Sequence, residues 1–211
     1  MISQRRIAHA LLALALGVGL GLGLVACDGG TSGTGISVAE GNVASLGTTD
    51  MMGADLAGIR VRVEGTSASD DTDASGSFSV KGVFDGHQTL LFQRASDGIN
   101  AQLAMNLPSR GTLTLNDVSI DRQSGEASAA SQQLQFQGFV QTVDCTKGEI
   151  AFVADPGDED TYWVDVAGST LESSSGAPVA CADVKVGESA AINGTVEDDG
   201  SIGSAVVRFG G

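Results

Sequence analysis

The sequence predicts an all-β protein built of two β segments. Two observations carry that reading. After residue 26 the apolar residues recur at every second position, as in Ile59-Arg60-Val61-Arg62-Val63-Glu64, and no long 3.6-residue apolar stripe is present. Glycine accounts for 30 of 211 residues against 3 prolines, which suits many short strands closed by tight turns.

The first element is not a strand. Met1 to Arg6 carries Arg5 and Arg6 and no acid, and residues 7–26 are uncharged and rich in Leu, Ala, Gly and Val. A basic start, an apolar run and small residues at its end describe a secretory signal. The run is also just long enough to span a bilayer, and Gly17, Gly19, Gly21 and Gly23 supply G-x-x-x-G spacings. A spanning helix, however, gains nothing from a cysteine at its exit, and Cys27 stands there. The tetrapeptide Leu24-Val25-Ala26-Cys27 resembles the lipobox of bacterial lipoproteins. That resemblance implies cleavage before Cys27, a diacylglycerol on its thiol, and a bacterial cell envelope protein held to a membrane by lipid. Each buried CH₂ contributes about 0.8 kcal/mol, so two or three acyl chains make a lasting anchor. Residues 27–35 follow as a flexible tether, because Asp28-Gly29-Gly30-Thr31-Ser32-Gly33-Thr34-Gly35 has nothing to pack.

Residues 36–121 form the first β segment. Ile59, Val61 and Val63 face a core, Phe78 and Val80 alternate again, and Leu90 and Phe92 follow. Ile99, Ala101, Leu103, Met105 and Leu107 share one face. Leu113 and Leu115 continue, with Val118 and Ile120 in shifted register after Asn116-Asp117. Six or seven strands in this length match one β-sandwich. The segment from Gly58 to Arg94, with Thr72-Asp73-Ala74-Ser75-Gly76-Ser77-Phe78 at its centre, resembles the carboxypeptidase regulatory-like family. The resemblance implies a transthyretin-like sandwich of accessory type, with no catalytic residue. Its turn has a local mechanism: Asp73 bonds its own backbone two residues on, Gly76 takes a positive φ, and Phe78 drops inward.

Residues 122–132 are small, polar and aperiodic, and read as a linker. Residues 133–211 form the second β segment. Leu134 and Phe136 alternate with glutamines, Gly138 breaks the phase, and Ile150, Phe152 and the run Thr161-Tyr162-Trp163-Val164-Asp165-Val166 mark further strands. Asp199-Gly200 makes a hairpin turn before Ile202 to Phe209. Val184-Lys185-Val186-Gly187-Glu188, Gly194 and Asp199-Gly200-Ser201-Ile202 resemble a small OB-like barrel domain of unknown function found in bacterial lipoproteins and secreted proteins.

Once Cys27 is lipidated, Cys145 and Cys181 remain. An even count outside the cytosol suggests a disulfide, the alternative being two buried thiols. Residues 1–26 hold two arginines and no acid, so their loss moves the formal charge from −15 to −17. Such a surface repels phosphate backbones, and no basic groove with stacked aromatics is present, which argues against nucleic acid.

Catalytic signals are sparse. His87 is the one histidine after Cys27, no G-x-S-x-G or Walker loop occurs, and the neighbouring residues of His87 read as a turn. Asp71, Asp73 and Ser75 make D-x-D-x-S-G, the first half of a calcium loop, but the twelfth position is Gly82, so no bidentate carboxylate closes the shell. Asp155 to Asp160 and Glu197 to Gly200 are acidic turns of the same kind. The expectation is a non-enzymatic binding or scaffolding module without a cofactor, engaging an envelope protein or polysaccharide. A calcium-dependent adhesin or matrix component using Asp71, Asp73 and Ser75 is the alternative, and a hydrolase using His87 ranks last.

Overall fold

Alternating apolar side chains need a partner layer, and the first half of the chain supplies two. The computed structural model describes residues 35–47 and 55–210. The leader, Cys27 and the tether up to residue 34 lie outside the described residues. Seven strands come first: β1 (Ser37–Leu46), β2 (Arg60–Val63), β3 (Ser69–Asp71), β4 (Ser77–Gly82), β5 (Gly86–Arg94), β6 (Ile99–Leu107) and β7 (Thr112–Asp121). Six follow: β8 (Glu126–Asp144), β9 (Glu149–Val153), β10 (Tyr162–Asp165), β11 (Thr170–Ser173), β12 (Ser189–Val196) and β13 (Ile202–Phe209). The described residues contain no α-helix and one 3-10 turn, Cys181–Asp183. The protein is all-β.

One sheet of the sandwich runs β4-β1-β7-β8, with β1 and β7 parallel and the other pairs antiparallel. The other runs β3-β2-β5-β6, all antiparallel. Val80, Leu113, Leu115, Val118 and Ile120 of the first, and Val61, Val63, Leu90 and Phe92 of the second, are fully or almost fully buried in one cluster. Phe78 on β4 meets Phe92 on β5 edge to face, with ring centroids 5.7 Å apart, which locks the two layers together. Each such side chain contributes about 1.5–3 kcal/mol by leaving water. The expected register shift after Leu115 is present. Asp117 takes φ 51° and exchanges two hydrogen bonds with Asn42 across the β1–β7 pair, and Val118 re-enters the core.

The second half closes on itself. β8 pairs with β9, β9 with β10, β10 with β13, β13 with β12, and β12 with β8 again. Only the β10–β13 contact in that circuit is parallel. This is a five-stranded barrel of OB-like connectivity, with β11 added as a parallel strand outside β13. Ile150, Phe152, Val164, Ile192 and Val207 fill it, and Phe136 packs against Tyr162 at 5.0 Å. Glycine is required at residue 194: a Cβ there would lie 2.5 Å from Ile202 Cγ2. Cys145 and Cys181 form the disulfide, with Cα atoms 5.9 Å apart. It ties the β8–β9 turn to the 3-10 turn that precedes β12.

Three local expectations need correction. The stretch 122–132 is a turn followed by strand: residues 126–132 open β8 and pair with β7 through Ile120↔Ala127, Val118↔Ala129 and Leu115↔Gln132. The inward residues are Ala127 and Ala129, whose single methyl groups give little hydropathic contrast. Gly138 does not break the phase either. Leu134, Phe136, Gly138 and Val140 are all buried, and the irregularity falls at Gln141, between Val140 and Thr142. Finally, Ser69–Asp71 lies in the run of small and acidic residues from Gly65 to Ser75, which reads as a loop, but it is strand, because β2 offers its free edge to it.

β8 therefore belongs to both halves. Residues 126–135 pair with β7, residues 132–139 with β12, and Phe139 to Asp144 with β9.

Candidate functional site

The consequence of that shared strand is a continuous outer face crossing from sandwich to barrel. Because Leu134, Phe136, Gly138 and Val140 point inward, Gln133, Gln135, Gln137 and Phe139 point outward. Across β12 their partners are Thr195, Asn193, Ala191 and Ser189. Across β7, Thr114 lies opposite Gln133 and Thr112 opposite Gln135. None of these ten residues carries a charge, in a chain whose formal net charge is −15.

The face is concave where β7 and β9 part from β8. The β7 ladder ends at Thr112↔Gln135 and the β9 ladder begins at Val153↔Phe139, so residues 136–138 pair on the β12 side alone. A cleft of about 580 Å³ occupies the gap. Its wall includes Thr112, Gln135, Gln137, Phe139, Ser189 and Ala191. Arg110 is the single charged residue in the lining, and its guanidinium is paired with Asp155. A shallower hollow of about 220 Å³ continues from Gln135 and Ala191 to Asn193, Val206 and Arg208, whose guanidinium is paired with Glu172.

Three amides of this face are open. The side-chain amides of Gln135, Gln137 and Asn193 are exposed, and among the described residues no group hydrogen-bonds them. A site with donors and acceptors in a concave, partly apolar wall of this size suits a small polar ligand.

One rim of the cleft is acidic and tightly tied. Asp155 accepts a hydrogen bond from Ser109 Oγ at 3.1 Å and pairs with Arg110, while its N–H donates to Asp158 at 2.7 Å. Asp85 accepts from the backbone N–H groups of Ser109 (2.8 Å) and Gly86 (2.9 Å). Burial pushes the Asp85 carboxyl above the ordinary carboxylate range, and repulsion from Asp158 and Asp160 adds to it, against the two N–H bonds. Burial also raises the Tyr162 phenol, with the same carboxylates contributing, and its hydroxyl donates to Asn106 at 3.3 Å. These contacts stitch the β4–β5 loop to the β6–β7 turn, that turn to the β9–β10 loop, and β6 to β10, and they hold the cleft's rim.

The residues singled out in the sequence lie elsewhere. Asp71 is on β3 and receives two hydrogen bonds from Arg60, both 3.0 Å, which hold its carboxyl below the usual range. Asp73 Oδ1 accepts from Ser75 Oγ, Ser75 N and Ser77 N, and these bonds lower its carboxyl in the same way. Gly76 sits at φ 81° and Phe78 is buried, so this loop is a self-satisfied turn between β3 and β4. Among the described residues no group of three or more His, Cys, Asp or Glu side chains is arranged to hold a metal ion. His87 is exposed on β5 opposite Asn106. Trp163 is 43% exposed on the outside of the barrel, and Tyr162 is turned into it.

The uncharged face went unassigned in the sequence although half of its signal is there. Gln133-Leu134-Gln135-Phe136-Gln137 shows the amides at alternate positions. Their neighbours come from β7 and β12, and only the register reveals that those are uncharged too. Compared with protein-family models, curated proteins and solved structures, the chain has no match.

Proposed function

We propose that this chain is a non-enzymatic binding module of the bacterial cell envelope, exported, held to a membrane by lipid on Cys27, and engaging its partner through the face of β7, β8 and β12. The observation that carries the reading is the set of exposed, unpartnered amides of Gln135, Gln137 and Asn193 around a concave break in the sheet. Polar groups left without internal partners are the ones available to a ligand. The lipobox resemblance and the glycine-rich tether support display at a membrane surface.

The test uses the full-length chain made in a bacterial host. Intact mass is expected to show loss of residues 1–26 and addition of lipid. The purified protein is expected to be retained by cell-envelope material without changing it chemically, and Gln135→Glu with Gln137→Glu is expected to abolish retention at an unchanged melting temperature. Retention that survives the double substitution, or release of a product that stops on His87→Ala, overturns the reading.

A further inference from the structure

We infer that the ligand of this face is an uncharged carbohydrate chain, an inference that rests on the binding-module reading and names its substrate class. The choice follows from what each other class of ligand would meet.

An anionic polymer would approach a chain of 26 acids and 11 bases, and the one cation in the cleft, Arg110, is already neutralised by Asp155. A cationic ligand would find no carboxylate among the residues that line the cleft, and on its rim Asp155 is already paired with Arg110 and Asp85 is held by the Ser109 and Gly86 N–H groups. A purely apolar ligand would cover Gln135, Gln137, Thr112 and Asn193 while offering them no hydrogen bonds, and each polar group stranded in that way costs about 1–3 kcal/mol. What remains is a neutral ligand that is polar at its edges and apolar on its faces. A pyranose ring is such an object: its hydroxyls meet amide and hydroxyl groups, and its C–H faces meet Phe139 and Ala191.

The geometry favours a chain of sugars over an added β-strand. Strand addition needs a run of unpaired backbone, and here the unpaired stretch of β8 is three residues, 136–138. Val140 exchanges its N–H and C=O bonds with Gly187 and Glu188 on the β12 side, so by alternation Gln137 alone presents its backbone groups to the gap. One residue cannot seat a peptide strand. Gln135, Gln137 and Phe139, in contrast, form a row about 13 Å long at two-residue spacing, which gives successive sugar units successive contacts. Self-association is disfavoured by the same composition: a homodimer needs an apolar interface core, and this face offers Phe139, Ala191 and Val206 amid amides and hydroxyls.

The experiment is a titration of the full-length chain, in detergent, with maltohexaose, cellohexaose and chitohexaose, followed by calorimetry and by chemical-shift or fluorescence changes. Parallel arms use an oligogalacturonate, a neutral Gly-Ser-Thr-Asn heptapeptide, and sedimentation without ligand. At least one neutral oligosaccharide is expected to bind, with the oligogalacturonate about tenfold weaker or worse. Gln137→Glu is expected to weaken the neutral ligand by about tenfold, whereas Gln93→Glu on β5, beside Arg62, leaves it unchanged, both at a wild-type melting temperature. Binding of the heptapeptide in preference to every sugar, dimerisation that Gln137→Glu dissolves, or failure of all three sugars overturns the inference while leaving a binding module in place. Cleavage of a bound sugar overturns the binding-module reading itself.

Discussion

The two outward faces of the molecule handle polarity in opposite ways. On the β2–β3–β5–β6 side, several polar side chains bond one another. Arg60 grips Asp71 across β2 and β3, while Arg62 donates to Gln93 at 3.1 Å and Gln93 to Asn100 at 3.1 Å across β2, β5 and β6. On the β7–β8–β12 side, the amides of Gln135, Gln137 and Asn193 have no such partners, and the two cations beside them, Arg110 and Arg208, are each held by an acid. Charged pairs and closed networks keep a surface soluble and self-contained, whereas open amides in a hollow leave bonding capacity for something else.

The comparison can be tested by loosening the scaffold away from the uncharged face and then beneath it. The largest expected effect comes from Cys145→Ser with Cys181→Ser. The bridge closes a separation of 36 residues, and its loss is expected to cost about 4 kcal/mol through the unfolded chain, read as a lower urea midpoint. Ligand binding measured well below the new melting point is expected to persist, because the bridge ties turns remote from Gln135 and Gln137. Loss of binding together with the bridge would place the disulfide in the site's support. Leu134→Ala comes next. Leu134 is 2% exposed beneath the uncharged face, in the stretch of β8 that pairs with β7 and β12 at once. Removing it is expected to cost about 2–4 kcal/mol and, unlike the disulfide change, to weaken ligand binding in the surviving folded protein. Binding at wild-type strength would show that the face does not depend on the strand shared by the two halves.

On the charged face the expectation reverses. Arg60→Ala breaks an ion pair that is more than half exposed at both ends. Such pairs contribute little, so thermal melts are expected to overlay the wild type and binding to stay intact. A clear loss of binding would mean that the two faces are not independent.

What was legible in the sequence divides along similar physical lines. Strong alternation marked β2, β4, β5, β6 and the first part of β7, because Ile, Val, Leu and Phe against Arg, Ser and Gln give high contrast. The Asp73–Phe78 turn was legible because Asp73, Gly76 and Phe78 act within six residues. The leading half of β8 was not, since Ala127 and Ala129 bury one methyl each and their partners on β7 are fixed by register. The uncharged face was only half visible for the same reason. A row of glutamines is a local pattern, but its continuation through Thr112, Thr114, Asn193 and Thr195 is set by pairings that a lone sequence does not state.

The smallest effect concerns the acidic rim, and it separates burial from hydrogen bonding there. Asp85 holds its proton more tightly in the folded protein than in the unfolded chain, where the reference value is 3.8. The folded state therefore binds more protons from Asp85 just above that pH, so this carboxyl's contribution is most favourable below the reference value and declines as pH rises through the folded one. Asp85→Asn keeps an oxygen to accept from Ser109 and Gly86 and removes the titration. The variant is expected to be slightly more stable than wild type at pH 7, with that advantage shrinking toward pH 3. Asp71, Asp73, Asp97, Asp121 and Asp199, all lowered by hydrogen bonds, lose stability in acid. They do so equally in both proteins, so they cancel in the difference between the two melting profiles. A variant less stable than wild type at pH 7 would show that the Ser109 and Gly86 N–H groups stabilise a charged Asp85 more than burial and its acidic neighbours oppose it, and that the rim is tuned to hold a carboxylate beside an uncharged cleft.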